Sequence, residues 1–227
     1  MSESLNRQLA DLHAERVASW AAESLKINID QRRHLVETAD HERFVRAGDH
    51  IEPFELLNVD GGVLSREQLI THGPAVLIFF RFAGCPACNI ALPYYERQLF
   101  PQLKALGVPL VAVSPQVPEK LVEIKQRHAL ELLVASDKDN ALGRRLGILY
   151  SFDDASRQAS LSKGGGIGEV TGTGTWELPQ PTVVVLDGNG VVAFADVSPD
   201  WLVRTEAGPI LAAVKAALAQ HTLPIAI

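Results

Sequence analysis

The first part of the chain has apolar residues at helical spacing. Between residues 5 and 36 they recur every three to five positions among polar and charged residues, at Leu5, Leu9, Leu12, Val17 and Trp20. This spacing places apolar side chains on one face of a helix. We therefore predict one or two amphipathic helices here. They pack on the chain's own core or, alternatively, form a homodimer contact.

The elements predicted between residues 47 and 74 are shorter. Residues 58–62 are turn formers between two short apolar runs, which predicts a hairpin over residues 54–64. Ser65 is followed three residues later by Gln68, which is the pattern of a helix N-terminus with a capping box. A short helix is therefore expected after Ser65.

From residue 74 onward, short apolar runs alternate with helical patterns. The runs predict strands at residues 75–80, 109–113, 131–135, 182–186 and 191–195. Helical spacing predicts helices at residues 86–106, 119–128, 141–146 and 208–220. Residues 187–190 are turn formers and join the last two strands as an antiparallel hairpin.

This order of elements predicts the fold class. Strands joined by crossover helices form a parallel sheet covered on both faces, and the hairpin adds an antiparallel edge. We expect an α/β protein with a thioredoxin-like fold: a mixed central sheet with helices on both faces, preceded by an N-terminal helical extension. The extension is assigned to residues 1–46 and the thioredoxin-like domain to residues 47–227.

Residues 151–179 match none of these patterns. The segment is rich in glycine at residues 164–168 and 172–174, but neither stretch has the spacing of a phosphate-binding loop. We predict a mobile surface loop, or a lid or binding loop because loops of this length often bind ligands. Trp176 near its end then supplies an aromatic wall to the site.

Composition and charge narrow the class of function. The formal net charge of -6 offers no basic surface for nucleic acid or anionic lipid. The N-terminus lacks the features of a secretory signal, and no 18-residue apolar run occurs. The chain has two cysteines, three positions apart, unlike a secreted disulfide scaffold. We expect a cytoplasmic protein with no nucleic-acid or membrane partner.

The two cysteines lie in the segment RFAGCPAC, residues 81–88. Cys85 follows a predicted buried strand, and Cys88 lies one turn into the helix that starts at Pro86. Unpaired N–H groups and the dipole at a helix N-terminus favour a thiolate, so Cys85 is the predicted nucleophile. Cys88 lies within disulfide reach and closes the redox couple. This chemistry requires no cofactor and no metal.

Other interpretations of the pair are weaker. A structural zinc site needs four ligands, and the seven histidines supply no second pair at the required spacing. The zinc deaminase pattern is half matched by His13 and Glu15, but Gly84 stands where a proline should precede Cys85. Two unreactive core cysteines remain an alternative.

Five ordered segments resemble the alkyl hydroperoxide reductase and thiol-specific antioxidant (AhpC/TSA) family, in its peroxiredoxin-like branch. They are residues 48–56, 79–88, 110–115, 135–140 with 146–147, and 181–190. The resemblance implies a thiol-dependent oxidoreductase that reduces hydroperoxides and is recycled by a thioredoxin- or glutaredoxin-type reductant. It also implies that Pro181, after a cis peptide bond, faces the cysteine pair.

The chain departs from the family pattern at two positions. Peroxiredoxins have Thr or Ser three positions before the reactive cysteine and Arg before the hairpin strand, where this chain has Phe82 and Gln180. Arg81 is the available substitute, unless it is a surface residue. The expected catalytic residues are Cys85, Cys88 and Arg81. The expected substrate-binding residues are Phe82, Pro86, Trp176, Gln180 and Pro181.

Three further functions remain open at this point. The pair can exchange disulfides with protein or small-molecule substrates without acting as a peroxidase. It can act as a non-enzymatic redox sensor, or the chain can be a scaffold that has lost its chemistry. Phe82 and Gln180 weaken the prediction of a peroxidase more than they weaken the prediction of a redox-active cysteine pair.

Overall fold

The computed structural model describes residues 3–162 and 164–221. The strands are β1 Glu55–Asn58, β2 Val63–Ser65, β3 Ala75–Phe79, β4 Leu110–Ser114, β5 Leu133–Ser136, β6 Leu149–Ser151, β7 Glu177–Pro179, β8 Thr182–Leu186 and β9 Val192–Val197. The helices are α1 Leu5–Ser19, α2 Ala22–Glu37, α3 Arg66–Ile70, α4 Pro86–Gln98, α5 Phe100–Ala105, α6 Pro118–His128, α7 Ala141–Arg145, α8 Asp154–Leu161, α9 Ile167–Thr171 and α10 Ala207–His221.

The main sheet has seven strands in the order β2-β1-β5-β4-β3-β8-β9. Strands β3, β4 and β5 are parallel, while β1 and β8 pair antiparallel with their neighbours on either side. Every residue of β3, β4 and β8 is buried, as expected of strands whose two faces are both covered by helices. The predicted α/β class, with a mixed thioredoxin-like sheet, is confirmed.

The alternation of side chains along β3 divides the interior into two cores. Val76 and Ile78 point into the core that contains both cysteines, while Leu77 and Phe79 point into the core on the opposite face. The first core is the larger and includes residues from α1, α4 and α10. The cysteine pair therefore lies inside the main hydrophobic core.

Residues 86–106, predicted as one helix, form two. Helix α4 ends at Gln98 and α5 begins at Phe100. Pro101, in the first turn of α5, lacks the N–H that a continuous helix needs, and its ring would clash with the carbonyl four residues earlier. The chain therefore turns at Leu99. Within the described residues, no helix has the length and apolar character to cross a membrane.

The prediction of an unstructured loop at residues 151–179 is wrong. The segment contains α8, α9 and β7, and β7 pairs with β6 in a second, two-stranded sheet. The carboxylate of Asp153 accepts a hydrogen bond from Ser156 N at 2.7 Å and so caps α8. Helices of eight and five residues span too few turns to show a clear apolar period.

Helices α1 and α2 confirm the amphipathic pattern of the N-terminal segment. Leu5 and Leu9 are fully buried in the core that holds the cysteines. The carboxylate of Glu206 accepts hydrogen bonds from Leu5 N and Asn6 N, both at 3.0 Å, and from Tyr94 Oη at 2.7 Å. A residue just before α10 thus anchors the start of α1. The domain boundary at residue 46 stays a prediction.

The anchor at Glu206 predicts a pH-dependent contribution to stability. Burial opposes ionisation, but hydrogen bonds from Asn6 and Leu5 prevail and lower the pKa of Glu206 to about 2. A depressed carboxyl pKa stabilises the fold above the unfolded pKa of about 4.3, and this contribution is lost as the pH falls toward the folded value. We expect Glu206→Gln to lower the free energy of unfolding by about 1–2 kcal/mol at neutral pH.

Urea unfolding at pH 7 and pH 3 measures this contribution. The loss caused by Glu206→Gln should shrink at pH 3, because the unfolded wild type is then protonated at this carboxyl while the folded protein is still mostly ionised. Glu42→Gln is the matched control, because Glu42 is exposed. An equal loss at both pH values would contradict the assignment.

Candidate active site

The two cysteines lie at the corner between β3 and α4. Cys85 is the N-cap of α4, and Cys88 lies in its first turn. Both are free thiols and fully buried, at 1% and 0% exposure. Pro86 occupies the first helical position, where its missing N–H leaves no hydrogen bond unmade. The structure thus places the pair where the sequence predicted it.

The loop before Cys85 is fixed by polar side chains at the end of β4. Ser114 Oγ donates to the carbonyl of Arg81 at 3.0 Å, and Gln116 Oε1 accepts from Ala83 N at 2.8 Å. From the other side, Asn89 Nδ2 donates to the carbonyls of Ala83 and Cys85 at 2.8 and 2.9 Å. These bonds hold Cys85 in place relative to the sheet.

Arg81 is a buried residue, so the alternative of a surface arginine is wrong. Its Nη1 lies 4.0 Å from Cys85 Sγ. Its guanidinium carbon lies 4.3 to 5.9 Å from the ring centroids of four aromatic residues, Trp201, Phe82, Phe152 and Tyr150. Contact with aromatic faces stabilises a buried guanidinium. Phe82 therefore packs on the arginine.

A second arginine, which the sequence did not indicate, faces the other sulfur. Arg204 is buried and its Nη2 lies 3.4 Å from Cys88 Sγ. Its Nε donates to the carbonyl of Trp201 at 3.2 Å. It lies in an irregular segment between β9 and α10, where no motif or periodicity marks it. Each sulfur of the pair therefore has its own guanidinium.

The two cysteines differ in the direction of their pKa shifts. Burial raises the pKa of Cys88, but the hydrogen bond with Cys85 and the charge of Arg204 outweigh it and lower the pKa well below its usual value. The hydrogen bond with Cys88, reinforced by burial, raises the pKa of Cys85 well above its usual value. The hydrogen bond between the two sulfurs thus favours a reduced pair that shares one proton. This hydrogen bond opposes a Cys85 thiolate, whose assignment stays a prediction.

The structure also places three other predicted site residues: Trp176, Pro181 and Gln180. Trp176 packs on Phe152 with ring centroids 5.8 Å apart, which places it behind the aromatic residues around Arg81. Pro181 and Arg204 line the same cavity of about 10 Å³. Gln180 is buried, and its N–H donates to the carbonyl of Ile148 at 2.8 Å. No peptide bond of the described residues is cis, so the cis bond expected before Pro181 is wrong.

Comparison with known proteins assigns the family. The model of the AhpC/TSA family matches residues 47–195, more than half of the chain. The chain belongs to the AhpC/TSA family. The resemblance to this family predicted from the sequence is therefore confirmed. A search of curated proteins finds no match to this AhpC/TSA chain.

Solved structures share the fold of this AhpC/TSA protein at low sequence identity. Peroxidoxin BcpB from Mycobacterium tuberculosis is 19% identical with a TM-score of 0.58, and the match covers 76% of this chain and 97% of that one. The thiol peroxidase from Chromobacterium violaceum is 15% identical with a TM-score of 0.56, over 79% and 90%. Reduced 2-Cys peroxiredoxin from Plasmodium vivax is 15% identical with a TM-score of 0.58, over 79% and 100%. Family and fold together confirm the predicted oxidoreductase class.

The contact between Arg204 and Cys88 predicts how the pair titrates. We expect Arg204→Met to raise the pKa of the thiolate by about one unit or more, because it removes the charge that faces Cys88. Arg204→Lys, which keeps a positive charge, should raise it less. The pH dependence of thiolate absorbance and of alkylation by iodoacetamide measures the shift.

The matched control is Arg43→Met, since Arg43 is exposed and paired only with Asp40. Circular dichroism should show that each variant is folded. A titration of Arg204→Met identical to that of the control would show that Arg204 does not hold the thiolate.

Proposed function

We propose that this protein is a thiol peroxidase that reduces hydroperoxides with Cys85 and Cys88. The observation that carries the proposal is the position of Arg81. This residue contacts Cys85 Sγ on one side and lines a solvent-open cavity of about 150 Å³ on the other. A guanidinium at this place can orient a peroxide oxygen and stabilise the charge that develops as the O–O bond breaks.

The two cavities support different roles for the two cysteines. Arg204, beside Cys88, borders a cavity of only about 10 Å³, which is room for one water molecule at most. Arg81, beside Cys85, borders the large one. A small peroxide in the large cavity therefore lies on the Arg81 side of the pair, toward Cys85. We assign Cys85 as the cysteine that reacts with peroxide and Cys88 as the one that resolves it.

The shared proton fits this division of roles. The shared proton first moves to Cys88, and the Cys85 thiolate attacks the terminal oxygen of the hydroperoxide. The O–O bond breaks, and the departing alkoxide takes the proton from Cys88, which becomes a thiolate. The products are a sulfenic acid on Cys85 and an alcohol. The Cys88 thiolate then attacks the Cys85 sulfur, which forms the disulfide and expels hydroxide, protonated by solvent to water. Arg204 keeps Cys88 ionised for this second step.

Recycling needs a dithiol reductant of the thioredoxin or glutaredoxin type, which takes over the disulfide and returns two electrons. Both sulfurs are buried, so a reductant protein reaches them only when the start of α4 opens locally. A protein disulfide as substrate would need the same opening in the reduced state, whereas a small peroxide needs a much smaller one. This favours a hydroperoxide over a protein disulfide. A reducing compartment such as the cytoplasm suits this cycle.

Peroxide turnover with a thioredoxin system and NADPH tests the proposal. We expect wild-type protein to oxidise NADPH with hydrogen peroxide or cumene hydroperoxide, and Cys85→Ser to show only the uncatalysed rate. Cys88→Ser should stop after one turnover, and mass spectrometry should find dimedone, a sulfenic acid trap, on Cys85.

Three results would count against the proposal. A wild-type rate equal to that of Cys85→Ser rejects the peroxidase. Reduction of insulin disulfides without peroxide turnover favours the disulfide oxidoreductase instead. Dimedone on Cys88 in Cys85→Ser, at the wild-type rate of oxidation, would reverse the two roles.

A further inference from the structure

Buried positive charge around the cysteine pair exceeds buried negative charge. Arg16, Arg81 and Arg204 are 5%, 9% and 4% exposed. None of the three forms a salt bridge with any residue in the described ranges. A fourth arginine, Arg32, pairs with Asp200 at 3.5 Å. The reduced cysteine pair contributes a single negative charge to this region.

The protein therefore leaves part of this charge without a counterion. Arg16 lies over the ring of Trp20 at 4.9 Å. The charged groups that act on Arg16 include Cys85, of opposite sign when ionised, and Arg32 and Arg81, of like sign. Glu15, the neighbouring carboxylate, is exposed. Buried charges are costly unless they are paired. A region of this kind has a strong intrinsic preference for an anion.

A cavity with unpaired polar atoms adjoins this charge. The α2–α8 cavity is the 150 Å³ space described above, lined by Asn28 and Gln31 from α2, Ser156 from α8, Arg81 and the rings of Trp20 and Trp201. Four buried polar atoms of these residues have no protein partner: the donors Gln31 Nε2 and Arg81 Nε, the acceptor Asn28 Oδ1 and the hydroxyl Ser156 Oγ. Gln31, Arg81 and Ser156 are each more than nine-tenths buried.

We propose that the α2–α8 cavity binds the carboxylate of a small organic hydroperoxide, which is the substrate of the cysteine pair. The inference rests on the proposed peroxidase function and specifies its substrate class. A carboxylate accepts N–H bonds on both oxygens, and two residues of the cavity wall, Gln31 and Arg81, each carry an unpaired N–H donor. Arg81 Nη1 then faces the peroxide group beside Cys85.

Size and apolar walls limit the rest of the molecule. A cavity of about 150 Å³ accepts a body of roughly the size of benzene. The indole rings of Trp20 and Trp201 favour an apolar body between them. The substrate class is therefore a compact hydroperoxide with one carboxylate, rather than a long-chain lipid.

Benzoate, an unreactive probe, tests the site independently of catalysis. We expect the reduced protein to bind benzoate at least about tenfold more tightly than neutral benzamide, because hydrogen bonds to an ionised acceptor are stronger than those to a neutral one. Tryptophan fluorescence should change on binding, since two of the three tryptophans line the cavity. Calorimetry measures the affinities.

The matched variants place the same substitution inside and outside the cavity. Gln31→Glu introduces a carboxylate into the cavity wall and should weaken benzoate binding about tenfold or more. Gln31→Leu removes the donor at similar volume and should weaken it as well. Gln102→Glu makes the same change at an exposed position of α5 and should bind benzoate as the wild type does. Equal affinity for benzoate and benzamide, or equal benzoate binding by Gln31→Glu and Gln102→Glu, would overturn the inference.

A kinetic comparison separates this inference from the proposed function. Wild-type protein should reduce a tertiary hydroperoxide that carries a carboxylate with a kcat/KM at least tenfold above that for neutral tert-butyl hydroperoxide. In Gln31→Glu this ratio should fall toward one. Equal turnover of both peroxides by wild type would overturn the carboxylate site and leave the peroxidase intact. Selective benzoate binding without turnover of either peroxide would reject the peroxidase instead.

Discussion

Two contacts between a guanidinium and a sulfur organise the interior of this protein. Arg81 lies 4.0 Å from Cys85 and Arg204 lies 3.4 Å from Cys88. Because both pairs are buried, their interactions are not weakened by water as surface contacts are. Arg81 follows β3 and Arg204 follows β9, so the two meet only when β3, β8 and β9 form adjacent strands of the sheet. The central sheet thus assembles the reactive pair from distant parts of the chain.

The segment from β6 to β7 completes this arrangement on the outer side. Tyr150 and Phe152 place their rings against the Arg81 guanidinium, and Trp176 packs behind Phe152. Helix α8 of the same segment faces α2 across the cavity. The residues that cover the reactive cysteine therefore come from the N-terminal helices and from the insertion between β6 and β7. The central strands supply the chemistry, and these added elements determine what can approach it.

The sequence predicted the parts of this structure that depend on local pattern. Continuous apolar runs identify β3, β4 and β8, and the corner at Cys85 was recognisable because a strand, Pro86 and a helix follow in order. Arg204 could not be predicted, because its role arises from a contact with Cys88 across 116 positions in an irregular segment. The opposite pKa shifts of the two cysteines could not be predicted for the same reason. Helices α8 and α9 are too short for periodicity to reveal.

The position of Arg204 also bears on the energetics of the redox couple. Its charge stabilises the Cys88 thiolate, which exists only in the reduced form. Any interaction that favours the dithiol over the disulfide raises the reduction potential of the pair, so its disulfide becomes easier to reduce. Arg204 N donates a hydrogen bond to Asn6 Oδ1 of α1 at 2.9 Å, and Glu206 accepts one from Leu5 N of the same helix. The position of the first helix and the reduction potential of the cysteine pair are therefore linked through residues 204–206.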